Sequence, residues 1–142
     1  MEKERARALE MSYPSPIQPD KNATDRDYNA ALTFMMEHID RFSICAGSHN
    51  ESSAALLIQL MEEKKIPKND QRVYFSQLLG MSDHISFNLS HAGYNVAKYV
   101  PYGPVKDVLP YLIRRADENT SVAGQTSREL SLLNKERTRR KK

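Results

Sequence analysis

The 142-residue sequence has a single cysteine, five glycines and no uninterrupted apolar run longer than the five residues from Ala54 to Ile58. Each scarcity excludes something. Cys45 alone, in "FSICAG", permits neither an intrachain disulfide nor a thiolate metal cluster, and it points to a reducing compartment. The apolar run falls far short of the roughly 20 residues that a membrane-spanning helix needs, and the charged amino terminus lacks a secretory pattern. A soluble, cytoplasmic chain is expected. None of the glycines has G-x-G-x-x-G or P-loop spacing, which removes the usual nucleotide-phosphate turns. His38, His49, His84 and His91 show no H-E-x-x-H spacing, so no metal site is expected. Ser48 beside His49 has no surrounding G-x-S-x-G, which argues against a hydrolase.

What is present is close to a globular average, with 39% hydrophobic and 27% charged residues. The net charge of +3 comes from the end of the chain, because the last eight residues, "KERTRRKK", carry +5 and leave the remainder at −2. No aromatic or structured basic motif accompanies this tail. It reads as a solvated end, and no nucleic-acid partner is expected.

Along the chain, "EKERARALEM" has helical propensity and stops at the breaker-rich "SYPSPIQPDKN". Thr24 is then expected to cap a helix whose stripe is Tyr28, Leu32, Met35, Met36 and Ile39. "RFSICAGS", "RVYFSQLL" and "NVAKYV" read as strands. Between them lie a helix capped by Asn50 and a second, "SDHISFNLSHAG", closed by Gly93; a last helix carries "YLIRRADEN". The order is α, α, β, α, β, α, β, α. Such alternation predicts parallel strands, and a parallel sheet is stable only with both faces covered. Three strands do not suffice alone. The expected fold is therefore the carboxyl-terminal part of a (β/α)8 barrel, which needs roughly 250 residues when whole. Met1 would then be internal to a longer protein, with 1–125 forming barrel and 126–142 a carboxyl-terminal helix and basic tail.

Chemistry in such barrels sits at the carboxyl ends of the strands, here "AGSHNE", "QLLGMSD" and "KYVPYGP". In the last helix Tyr111, Arg114, Arg115 and Glu118 fall at i, i+3, i+4 and i+7 and share a face. An exposed Arg114–Glu118 pair explains the glutamate but neither Tyr111 nor the rigid "YVPYGP" entry. Two guanidinium groups at a barrel mouth suit a carboxylate or a phosphate.

"VYFSQLLGMSDHISFNL", "AGYNVAKYVPYGPVKDVLPYLIRRADENTSV" and "SHNE" resemble the carboxyl-terminal half of the proline dehydrogenase family, closest to its single-function form. The likeness covers nearly the whole chain and is strongest from Ser48 to Val122, with Y-x-x-R-R-x-x-E-N its most specific motif. It implies a distorted (β/α)8 barrel with FAD that oxidises L-proline to Δ1-pyrroline-5-carboxylate and passes electrons to a quinone. The complete protein would then lie peripheral to a membrane, the mitochondrial inner membrane in a eukaryote. By the same resemblance Arg114 and Arg115 bind the substrate carboxylate, Tyr99 and Tyr111 wall the ring, and Leu78 adds an apolar contact. Ser48, His49, Asn50, Gln77 and Glu118 lie toward the flavin. The family's earlier strands are absent from the sequence, so the chain alone is expected to be inactive. Two other readings stay open: a different barrel enzyme acting on a phosphorylated substrate, and a non-catalytic interaction piece.

Overall fold

Strands and helices alternate through most of the chain. In the computed structural model, which describes residues 1–120 (side chains as far as 115), 130–131, 134–135 and 137–140, the order is α1 (Glu2–Glu10), α2 (Lys21–Glu37), β1 (Ile44–Gly47), α3 (Glu51–Glu63), β2 (Val73–Leu78), α4 (Asp83–His91), β3 (Val96–Tyr99) and α5 (Val105–Thr120). The expected order of elements is observed. Much of the segment 126–142 lies outside the described residues. Two compact units divide the chain, Met1–Tyr99 and Val100–Lys142.

Local chemistry sets the helix ends. The Asp20 carboxylate accepts from the Ala23 N–H at 2.8 Å and starts α2. Thr24, the expected cap, lies inside the first turn, where its hydroxyl donates to the Asp20 carbonyl at 3.0 Å. The displacement has a cause: Asp20 holds the extended backbone of a cap, at φ −146° and ψ 176°, and Asp is the stronger cap. Asn50 caps α3 as expected, its side-chain oxygen accepting from the Ser52 N–H at 2.9 Å. Gly93, at φ 91°, closes α4, and the Tyr94 N–H reaches back to the Leu89 carbonyl at 3.0 Å.

All three strands are parallel, in the order β1-β2-β3. Register pairs Ile44 with Val73, Ala46 with Phe75 and Phe75 with Val96. These side chains share one face and bury against Leu32 and Met36 of α2, Leu57 and Met61 of α3, and Ile85 and Leu89 of α4. Tyr28, Met35 and Ile39, the rest of the α2 stripe, pack against the same cluster. Tyr94 meets Phe75 edge-on, with ring centroids 5.6 Å apart. The opposite face carries Cys45, Tyr74 and Tyr99, all exposed. Alternation thus divides the sheet into a helix-covered side and an open side.

In the second unit, the Pro104 carbonyl accepts from the Asp107 and Val108 N–H groups and opens α5. Gly103, at φ 151°, is needed there, because a Cβ would lie 3.3 Å from a Val108 methyl in a backbone conformation that other residues rarely adopt. No helix among the described residues is long and apolar enough to cross a membrane.

Two polar ties hold the loops of the first unit. Asp70 takes a forked contact from Arg72, with its oxygens 3.0 Å from Nε and 2.7 Å from Nη2, and also accepts from the Arg72 N–H. Those hydrogen bonds lower its carboxyl from 3.8 to about 2. The stabilisation is complete above the ordinary value of 3.8 and is lost as pH falls through about 2. Asp70→Asn should therefore flatten the acid-unfolding curve between these two values; an unchanged curve would contradict the assignment. At the other end of the sheet, Lys98 Nζ donates to the Met81 carbonyl at 2.8 Å, pairs with Asp83 at 2.8 Å and reaches the Leu78 carbonyl at 3.4 Å. Lys98→Met should cost on the order of 1–3 kcal/mol in denaturant unfolding. A loss within about 0.5 kcal/mol, the scale of a bland surface change, would contradict the tie.

Candidate functional site

The open face of the sheet is ordered in rows by its register. Cys45 and Tyr74 form the first row; Gly47, Ser76 and Ala97 form the second; Leu78 and Tyr99 form the third, at the carboxyl ends of β2 and β3. Adjacent parallel strands stand about 4.8 Å apart, so Leu78 and Tyr99 are immediate neighbours. The middle row is made of small residues, and the space above Gly47 is open: a Cβ built there meets nothing within 4 Å. The row of small residues is therefore edged by an apolar side chain and an aromatic one.

At the carboxyl ends of the strands, on the helix side, the β1–α3 and β2–α4 loops are joined by a buried polar network. Gln77 is 3% exposed and faces the helices; its Nε2 donates to the Ser48 carbonyl at 3.3 Å. The Ser86 hydroxyl, on α4, donates to Gln77 Oε1 at 2.8 Å and lies 3.3 Å from the Ser82 carbonyl. Ser82 Oγ then meets His49 Nδ1 at 2.9 Å. A second link joins the same helices, with His84 Nε2 2.8 Å from Glu51 Oε1. Ser48 contributes through its hydroxyl, which accepts from the Asn50 N–H at 3.1 Å. The loops are therefore fixed relative to the strands by hydrogen bonds within the first unit.

Ser82 is unusual in this set. It stands at the start of α4 with φ 51° and ψ 42°, a left-handed backbone, and its side chain makes no capping bond to the helix. For a residue with a Cβ that conformation costs roughly 1–2 kcal/mol. A serine in this place ordinarily adopts extended geometry and caps. Here its hydroxyl serves His49 instead.

In the second unit, Tyr111 and Arg115 meet at i, i+4 on α5. The Arg115 guanidinium carbon lies 5.2 Å from the Tyr111 ring centroid, a cation–π contact, and both residues are half-buried. Arg114 is exposed. The continuous helix keeps the tyrosine and both arginines on one face, as the spacing requires. Glu118 belongs to the same helix, but its side chain lies outside the described residues.

The sequence-predicted residues thus fall into three sets. Leu78 and Tyr99 are brought together by register. Ser48, His49, Asn50 and Gln77 gather at the carboxyl rim, although the Asn50 side-chain oxygen is engaged as a helix cap and the Gln77 amide is engaged at both ends by protein groups. Tyr111, Arg114 and Arg115 form the α5 face. Sequence reasoning missed Ser82, Ser86 and Lys98. Lys98 left a readable signal: two residues after Val96 and therefore on the same face, it is a charge where alternation predicts an apolar side chain. Ser82 left none, because Ser-Asp before a helix reads as an ordinary cap. Among the described residues no group of three or more His, Cys, Asp or Glu side chains is arranged to hold a metal ion.

The family model for proline dehydrogenase matches residues 1–128. The human mitochondrial proline dehydrogenase 1 is 50% identical over 133 residues, 92% of this chain and 22% of the relative. Human hydroxyproline dehydrogenase is 44% identical over 144 residues, 99% of this chain and 31% of the relative. A crystal structure of proline utilization A from Bdellovibrio bacteriovorus, inactivated by N-propargylglycine, superposes with a TM-score of 0.76 at 28% identity, covering 84% of this chain and 12% of that one. The chain therefore spans between about a fifth and a third of the two human relatives' length. On these matches the chain belongs to the proline dehydrogenase family.

Proposed function

We propose that the chain is the carboxyl-terminal part of a (β/α)8 barrel that oxidises L-proline to Δ1-pyrroline-5-carboxylate with FAD and a quinone as successive electron acceptors. The observation that carries the proposal is the pairing of Leu78 with Tyr99 on the open face of a parallel sheet, at its carboxyl rim, in a member of this family. A parallel sheet is expected to have both faces covered, and a closed barrel would line its interior with this face.

FAD, when bound, supplies the two-electron acceptor for a hydride leaving the carbon beside the ring nitrogen. The residues present suit a flavin in two respects: the floor of Gly47, Ser76 and Ala97 is made of small side chains, with open space at Gly47, and His49 is held at the rim. We assign Ser48, His49, Asn50 and Glu118 to the flavin side, and Gln77 acts there through the Ser48 carbonyl. Arg114 and Arg115 bind the substrate carboxylate as paired charge-assisted donors, which fixes one end of the ring and so orients the carbon that loses hydride. Arg115 is steadied for this by its contact with Tyr111. Leu78, Tyr99 and Tyr111 supply the apolar and aromatic walls. Such a wall disfavours the charged amine, so the substrate nitrogen can be neutral when hydride leaves and its proton departs to solvent.

We place the complete protein at the surface of a quinone-bearing membrane. In a eukaryote that is the mitochondrial inner membrane, in line with the mitochondrial names of several relatives. A barrel binding a phosphorylated substrate is the weaker reading, because phosphate sites in barrels use glycine-rich loops and helix amino termini after the last strands, whereas "YVPYGP" is rich in tyrosine and proline.

Three outcomes test the proposal. In the complete protein, Arg115→Met should raise the KM for proline by about tenfold or more, the scale of one charge-assisted bond. Tyr99→Phe, which keeps the ring, should cost less; an unchanged KM at Arg115, or a larger effect at Tyr99, would overturn the assignment of roles. The polypeptide of residues 1–142 alone should neither retain flavin nor turn over proline. A yellow preparation of it that reduces dye with proline would contradict the barrel reading, and 4-hydroxyproline assayed beside proline would establish which ring the site prefers.

A further inference from the structure

The network at the rim contains a residue whose side chain serves neither the sheet nor its helix. Ser82 is 5% exposed, occupies the left-handed region at φ 51°, and leaves the first turn of α4 without a side-chain cap. Its hydroxyl is committed to His49 Nδ1 at 2.9 Å, across 33 residues of sequence. Its carbonyl is committed to the opening of α4, accepting from the Ile85 and Ser86 N–H groups at 3.0 and 3.2 Å. Backbone strain of this kind persists only where surrounding contacts over-determine it, and it concentrates at functional sites. Here the carbonyl contacts open α4, and the side-chain contact goes to one imidazole.

We propose that Ser82 is a positioning residue for His49: its strained backbone presents the hydroxyl that fixes the ring plane of the histidine on the flavin side of the site. An imidazole offers two distinct nitrogens, and holding one of them fixes where the other points. A hydroxyl can take either role, so the pair stays bonded in both tautomers while its orientation is fixed. Ser86 and Gln77 support the arrangement from behind. The Ser86 hydroxyl lies 3.3 Å from the Ser82 carbonyl and 2.8 Å from Gln77 Oε1, and Gln77 reaches the carbonyl of Ser48, the residue before His49. Both ends of the histidine, its ring and the backbone that carries it, are thereby tied to the β2–α4 segment.

This inference rests on the flavin reading given above, and its test separates the two. In the complete flavoprotein, FAD dissociation constants are measured by titrating the apoprotein for wild type, Ser82→Ala, Ser82→Gly, His49→Ala and the double variant Ser82→Ala/His49→Ala, with thermal midpoints recorded in parallel. Ser82→Ala should weaken FAD binding roughly three- to tenfold, the effect of one hydrogen bond, and the double variant should be no weaker than His49→Ala alone. Ser82→Gly separates positioning from structure. Glycine adopts the left-handed backbone freely, so its thermal midpoint should equal or exceed that of wild type while FAD affinity falls as in Ser82→Ala. Unchanged FAD affinity in both Ser82 variants, or strictly additive losses in the double variant, would overturn the positioning role alone. A wild-type protein that takes up no FAD would overturn the proposed function and this role with it.

Discussion

Parallel register is the constraint on which the rest of this structure depends. In a parallel sheet, residues paired across strands point to the same side, so one choice of register assigns every side chain at once. Here it sends Ile44, Ala46, Val73 and Phe75 into a core with α2, α3 and α4, and it sends Cys45, Tyr74, Leu78 and Tyr99 to the other side. A slip of one residue in β2 would exchange the two sets, placing Tyr74 and Leu78 among the helices and the Phe75 ring on the open face. The large apolar burial of Val73 and Phe75, each 1% exposed, therefore secures the placement of the residues on the open side.

The rim is ordered by a different kind of force. Its loops contain few apolar contacts to fix them, and the order comes from directed hydrogen bonds among Ser48, His49, Gln77, Ser82 and Ser86, with Lys98 fastening the β2–α4 loop to β3. Buried polar groups of this sort are costly unless satisfied, and satisfied they specify one arrangement. The division of labour is clear: apolar burial holds the sheet, and a polar network aims the loops above it.

Much of this was legible from the residues. The order of eight elements followed from helical propensity in α1, the apolar stripe of α2, caps and breaker residues at the later helices, and short apolar runs at the strands. The α2 stripe packs as its spacing requires. The Thr24 cap was misplaced since Asp20 accepts from the Ala23 N–H and starts the helix four residues earlier in the chain. Strand ends fell short of the apolar runs: Arg41 to Phe42 and Val100 have the composition of strand yet lie beyond the ladder. At the site, the period-two argument places Leu78 and Tyr99 on faces but cannot pair them; pairing needs the register. Ser82 was illegible because its importance lies in a backbone dihedral and a partner 33 residues away, neither of which composition reveals. The α5 face was legible as spacing, and the structure adds the contact of Arg115 with Tyr111.

The central claim is that the open side of this sheet is a wall of the substrate site. A crystal structure of the complete protein with a five-membered-ring carboxylate that cannot be oxidised tests it most directly. The account predicts the analogue's ring packed on the row formed by Leu78 and Tyr99. Density for the analogue elsewhere, with that row filled by other side chains of the barrel, would contradict it.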